Sequence, residues 1–161
     1  MTSAPRPQAG EPTRRLRRAQ QTSLSRPRQR RSTRRRPPVI LIADDTTDTR
    51  DLYAEYFDAR GFTVVTARDG VSAVQAALEH VPDVIVMDLA MPQIDGITAI
   101  RRIKADARTL RSRVILLTGY LHRVVEWGAL EAGADLFLTK PCLPDVLEGY
   151  VNRLRRRRRP V

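Results

Sequence analysis

Cysteine occurs once in the 161 residues, at Cys142, which excludes an internal disulfide framework and any cysteine-rich zinc site. Histidine and lysine occur twice each, the lysines at 104 and 140. No apolar run approaches the roughly 18 residues needed to cross a bilayer. The amino terminus is basic but lacks the apolar stretch of a secretory signal, so no membrane partner is expected and the cytoplasm is the expected location. Residues 1–38 also lack material for a core: after Met1 their only large apolar side chains are Leu16 and Leu24. Such a segment cannot offset its ordering entropy and is expected to be disordered.

What is present is charge, unevenly placed. Residues 1–38 hold twelve arginines against one acid, Glu11, and residues 153–161 hold six arginines and no acid. The middle, 39–152, holds eleven basic against seventeen acidic residues, so the formal charge of +11 belongs to the tails. This predicts an arm over 1–38, one domain over 39–154 and a basic tail over 155–161, the middle being long enough for one independent core. Three readings compete for the arm: a phosphate-contacting nucleic-acid segment, an organelle transit peptide whose prolines spoil the helix, and a solvated leader without a specific task. The scarcity of lysine in so basic a chain points to compositional bias rather than to a selected contact.

From Val39 the pattern alternates short apolar runs with helical segments. Val39 to Ala43 reads as a strand, followed by a helix to about Ala59 with Leu52, Tyr56 and Phe57 on one side and Gly61 as its stop. Phe62 to Thr66 reads as a second strand, and Asp69-Gly70 as a turn. Val71, Val74, Leu78 and Val81 then recur at helical spacing, and Pro82 ends the segment. Val84 to Met87 reads as a strand buried on both faces that stops at Asp88. Beyond it Pro92 fixes φ, and Asp95-Gly96 caps a helix to Ala105. Arg113 to Leu117 and Asp135 to Leu138 read as further strands. A helix between them ends at Gly133, and a last one runs from about Pro144 to Arg155. Five such alternations predict an α/β fold, a doubly wound parallel sheet with helices on both faces.

Right-handed crossovers place the carboxyl ends of all strands along one edge. Asp44-Asp45, Asp88, Thr118 and Lys140 each follow a strand directly, so the topology brings them together. Two unit charges about 4 Å apart repel by about 4 kcal/mol at an effective dielectric of 20. Three crowded carboxylates therefore raise a pKa or bind a cation. An all-oxygen ligand set suits Mg²⁺. With charge neutralised, one carboxylate can attack a phosphoryl group, while Lys140 supplies a point charge and Thr118 a hydroxyl donor. Each part also has a plainer reading: Asp44, Asp45 or Thr118 as a helix cap, Lys140 as a surface lysine.

Taken together, Asp44-Asp45, the Asp88-Leu-Ala-Met-Pro-Gln-Ile-Asp-Gly96 stretch, Thr118-Gly119 and the Gly133-Ala-Asp-Leu-Phe-Leu-Thr-Lys-Pro141 stretch resemble the receiver domains of bacterial two-component response regulators. The resemblance covers 39–152 and neither tail. It implies a flavodoxin-like fold with strand order 2-1-3-4-5. It implies that Asp88 is the phosphoacceptor, that Asp44, Asp45 and Asp88 hold Mg²⁺ with the Ala90 backbone carbonyl, and that Thr118 and Lys140 contact the phosphoryl group. It implies that Phe137 is the switch aromatic and that the Lys140-Pro141 bond is cis. Phe137 departs from the commoner tyrosine, and Ala90 leaves no polar side chain beside the acyl phosphate.

The function so implied is a single-domain phosphorylation switch, not an enzyme with separate substrate turnover. A histidine kinase or phosphotransfer protein charges Asp88 and an output protein reads the face made by the fourth helix, fifth strand and fifth helix. Trp127 on that fourth helix is a candidate partner anchor if it points outward, with Leu121, Val125, Gly128 and Ala132 inward; a Trp tucked against a neighbouring helix is the alternative. A nucleic-acid-associated protein using its arginine tails is the rival reading. A phosphatase that hydrolyses its own aspartyl phosphate needs a second acid two residues beyond the nucleophile, where Ala90 stands.

Overall fold

Successive side chains of a strand point to opposite faces, and in the interior strands of this chain both sets are apolar. The computed structural model describes residues 36–119 and 123–156, as β1 (Val39–Ala43), α1 (Thr47–Ala59), β2 (Thr63–Ala67), α2 (Gly70–His80), β3 (Val84–Met87), α3 (Gly96–Ala105), β4 (Arg113–Thr118), α4 (Arg123–Ala132), β5 (Leu136–Thr139) and α5 (Pro144–Arg156). The five strands are parallel in the order β2-β1-β3-β4-β5, as the resemblance implies. Leu41, Ile85, Met87, Val114 and Leu116 face α2, α3 and α4. The alternate residues Ile40, Ile42, Val84, Val86, Ile115 and Leu117 face Tyr53 and Phe57 of α1 and Leu147 and Val151 of α5. The sheet thus carries helices on both faces, and every side chain of β3 is buried.

Local chemistry sets the helix ends. Asp69 caps α2 by accepting from the Ser72 backbone at 2.7 Å, and Asp95 caps α3 by accepting from the Thr98 backbone at 2.9 Å. Gly61 and Gly133 follow α1 and α4 at φ +82° and +105°, the left-handed region glycine enters without strain.

Several expectations are corrected. Leu52 is 54% exposed, and Tyr53 takes the buried place on α1 beside Phe57. The wholly buried positions of α2 are Gly70, Ala73 and Ala77, because small residues allow close approach, while Val71, Val74 and Leu78 lie partly buried and Val81 is exposed. Strand β2 starts at Thr63, since the Phe62 backbone N–H turns back to Phe57 O at 3.1 Å. Strand β5 starts at Leu136, where its pairing with Ile115 begins. Helix α5 continues to Arg156, two residues beyond the expected domain boundary. The expected disordered arm, apart from residues 36–38, and the last five residues lie outside the described residues, as do Tyr120, Leu121 and His122.

Candidate functional site

The strand order reverses between β1 and β3, and in open α/β sheets ligands bind beyond the carboxyl ends of the strands at such a point. Asp44 and Asp45 leave β1 there, and Asp88 leaves β3. The backbone fixes them: Asp88 N–H donates to Ala43 O at 2.8 Å and Asp44 N–H to Ala67 O at 3.1 Å. One ligand oxygen from each of Asp44, Asp45 and Asp88 falls within 4.8 Å of the other two. Asp44 and Asp88 are buried, at 3% and 6% exposure, and Asp45 is exposed.

Lys140 reaches the same point from the end of β5. Its Nζ lies 2.6 Å from Asp44 Oδ2 and 3.4 Å from Asp88 Oδ1. Its backbone N–H donates to Thr118 O at 2.9 Å, which ties the lysine loop to the end of β4. Thr118 is fully buried at that strand end, and the Lys140-Pro141 bond is cis. Asp45 does not cap a helix: Thr46 is the N-cap of α1. Asp44 Oδ1 instead accepts from Thr46 N–H at 2.9 Å, which orients the carboxylate. The four strand ends read from the sequence meet at one edge.

Burial pushes the Asp88 carboxyl above the usual carboxylate range, with the neighbouring Asp44 charge adding to the rise and Lys140 opposing it. For Lys140, burial alone acts downward, but the hydrogen bond to Asp44 and the charges of Asp88 and Asp44 outweigh it and the ammonium is raised. The edge is therefore a negative pocket closed by one cation. Its donors are carboxylate oxygens, a set that matches a small hard divalent cation.

Ala90 is exposed, two residues beyond Asp88 in a loop folded tightly on Leu89 O, which accepts from Met91 N–H at 3.2 Å and Gly96 N–H at 2.9 Å. Phe137 is partly buried against the α2–α3–α4 core, across from Leu116 in β4. Trp127 is 68% exposed on α4, with Val124 beside it at 73%. Ala129 and Ala132 form the buried side of that helix, with Val125 packed against the core and Gly128 near Ile97.

Sequence reasoning misses two kinds of residue. Gly96 reads in the sequence only as part of a cap, yet a Cβ there would sit 2.2 Å from Asp88 O, so its lack of a side chain lets α3 approach the end of β3. Gly70, which reads as a turn, opens α2 against the Ile94 carbonyl at the same 2.2 Å from a built Cβ. Arg50 and Tyr53 of α1 send hydrogen bonds to the Asp44 and Cys142 carbonyls. Helical spacing marks such residues as one face and gives no sign of what they reach.

Residues 40–152 match the model of the response regulator receiver domain. Among curated relatives, the chemotaxis protein CheY of Bacillus subtilis is 36% identical over 116 residues, covering 71% of this chain and 94% of that protein. The DNA-binding dual master transcriptional regulator RpaA of Synechocystis is 34% identical over 120 residues, covering 74% of this chain but 50% of RpaA. The chain thus spans about half of that regulator and nearly all of the chemotaxis protein. Among solved structures, the response regulator domain of Thermotoga maritima CheB superimposes with a TM-score of 0.69 at 30% identity, covering 77% of this chain and 100% of that one. CheY in the CheX–CheY–BeF3–Mg complex of Borrelia burgdorferi gives 0.68 at 29% identity, with 73% and 89% covered. The match across the whole sheet, at an edge where opposite charges from separate strands converge, assigns the chain to the response regulator receiver domains of two-component signalling.

Proposed function

We propose that Asp88 accepts a phosphoryl group from the phosphohistidine of a sensor histidine kinase or phosphotransfer protein, and that the modified site reshapes a protein-interaction face. The observation that carries this is the convergence of Asp44, Asp45 and Asp88 with Lys140 at the switch point of the sheet. The chemistry needs a carboxylate nucleophile, a counter-charge and a cation pocket in one place, and separate strands supply all three.

Asp44, Asp45 and Asp88, with the Ala90 carbonyl, would hold a Mg²⁺ ion, because three oxygens within 4.8 Å of one another fit a single hard cation. Bound there, Mg²⁺ neutralises the crowded charge and polarises phosphoryl oxygens. An Asp88 carboxylate oxygen attacks phosphorus; the new O–P bond forms as the donor's P–N bond breaks, and the imidazole leaves with that electron pair and takes up a proton. Lys140 pairs with the incoming oxygens, for which its ammonium lies near both Asp44 and Asp88. The Thr118 hydroxyl donates to a phosphoryl oxygen, and Phe137 turns into the space so opened. The Borrelia complex, a CheY with BeF3 and Mg, supports this reading of the pocket.

Output is read through a partner protein at α4, β5 and α5, where the exposed Trp127 and Val124 offer an apolar anchor. Incubation with acetyl phosphate and Mg²⁺ is expected to label wild type and leave Asp88→Asn unlabelled. Labelling that survives the substitution removes Asp88 from the role. Lys140→Ala is expected to keep the fold and to blunt the fluorescence response of Trp127 to a phosphoryl mimic.

A further inference from the structure

Helix α1 contributes no group to the acid cluster, yet two of its side chains, one turn apart, hold the loops on either side of it. The Arg50 guanidinium donates to Asp44 O at 2.8 Å and to Thr47 Oγ1 at 3.3 Å. The Tyr53 hydroxyl donates to Cys142 O at 2.7 Å. Asp44 carries the carboxylate that meets Lys140 Nζ at 2.6 Å, and Cys142 lies two residues beyond Lys140 across the cis Pro141 bond. Residues three apart share a helix face, so a single turn of α1 touches both the acid loop and the lysine loop. Tyr53 is 3% exposed, wedged between the sheet and the loop after β5.

This geometry addresses a conflict in the site. Lys140 sits closer to Asp44 than to Asp88, on an oxygen-bearing group that belongs to the cation cluster. An ammonium and a divalent cation cannot both take full possession of the Asp44 carboxylate. Where each loop is anchored decides how far the lysine can lean toward the acid. We propose that Arg50 and Tyr53 are positioning residues: Arg50 holds the Asp44 loop so that the acids converge on a divalent cation, and Tyr53 holds the Lys140 loop so that the ammonium reaches the phosphoryl group at Asp88. The proposal rests on the phosphoacceptor reading above. It adds to that reading a division of labour, in which one helix sets cation affinity through one loop and phosphoryl transfer through the other.

The test separates binding from transfer on the full-length chain. Calorimetric titration with Mg²⁺ gives the cation affinity, and the initial rate of labelling by acetyl phosphate at saturating Mg²⁺ gives transfer. Groups that orient ligands from behind are worth about 10- to 100-fold in metal affinity. Arg50→Ala is therefore expected to weaken Mg²⁺ binding by about 10-fold, and Arg50→Lys, which keeps one charged donor, to recover part of it. Tyr53→Phe keeps the buried ring and removes only the hydroxyl. It is expected to leave the Mg²⁺ affinity within about twofold and to slow labelling by about 10-fold, the scale of a small misplacement of a reacting group. If Arg50→Ala does not fold, Arg50→Gln carries the same expectation with less loss of packing. Variants that lower the denaturant midpoint while both readouts stay within twofold of wild type make the contacts merely structural and overturn the proposal. Loss of both readouts together in Tyr53→Phe overturns the division of labour. If wild type binds Mg²⁺ but is never labelled at Asp88, the phosphoacceptor reading fails, and the Arg50 series still decides the cation half.

Discussion

Asp88 is held at a free-energy cost that its surroundings only partly relieve. Its carboxyl sits in a buried strand end beside the Asp44 charge, and these raise its pKa above the ordinary value of 3.8 against the opposing pull of Lys140. A carboxyl with a raised pKa in the folded chain keeps its proton where the unfolded chain has lost it. Stability therefore falls as pH rises from 3.8 through the raised folded value, and above that window the charged group is a standing penalty. In the absence of divalent cation, Asp88→Asn is expected to be more stable than wild type at neutral pH by about 1 kcal/mol, in the range typical of relieving strain at a functional site. Denaturant melts in a chelating buffer check this, and the gap should close as pH approaches the ordinary carboxylate value. Added Mg²⁺ should reverse the order, because a ligand that binds only the folded wild type stabilises it. The identity of Asp88 was legible because an apolar run stops at it. That crowded acids would perturb its acidity also follows from the strand order, but that burial outweighs the Asp44 charge in raising it does not, since burial depends on how the chain closes over the strand end.

Elements were legible where the signal was local. Buried strands announced themselves as short apolar runs, and Asp95 marks a helix start with a side chain that reaches the third backbone N–H, whereas Asp69, which reads as a turn, caps α2 in the same way. Faces were less so: helical spacing permits Leu52 or Tyr53 on the inner side of α1, and the hydrogen bond to the Cys142 carbonyl, 89 residues distant, accompanies the tyrosine's burial. The opposite end of the sheet from the site shows the same dependence on distant partners. Asp135, just before β5, accepts from Arg113 at 2.7 Å and from Val114 N–H at 2.9 Å, with Lys104 Nζ of α3 at 3.6 Å. These side chains are 8% exposed for Asp135 and Lys104 and 13% for Arg113, so one carboxylate joins α3, β4 and β5 in a site nearly closed to water. Removing one member of a buried charge group leaves the others uncompensated, at about 3–5 kcal/mol. Asp135→Ala is expected to lose that much in chemical denaturation. Asp135→Asn, which can keep the Val114 bond, should lose less. Equal losses would mean that the charge carries the whole effect and that the Val114 contact adds nothing to it.

Over the whole chain, the charge split separates the receiver's chemistry from its physical behaviour in solution. The acidic middle carries the site, while eighteen of the 29 basic residues lie in residues 1–38 and 153–161. Within the described residues, Arg153, Arg155 and Arg156 are exposed on the last turns of α5, where cations also suit the negative end of the helix dipole. On the rival nucleic-acid reading, the tail arginines contact phosphate through their planar forks and carry no sequence information. Full-length protein is expected to bind duplex DNA of any sequence, with affinity falling steeply in salt. Each phosphate that an arginine neutralises adds about 0.9 to the steepness of the log–log salt dependence. Replacing Arg153, Arg155 and Arg156 with glutamine is therefore expected to flatten the slope by up to about 3, with Asp88 labelling by acetyl phosphate unchanged. Filter binding across a salt series checks the first expectation and phosphate incorporation the second. DNA binding that discriminates between sequences, or that changes when Asp88 is phosphorylated, would make nucleic acid the output in place of a partner protein at α4, because non-specific phosphate contacts carry no sequence information.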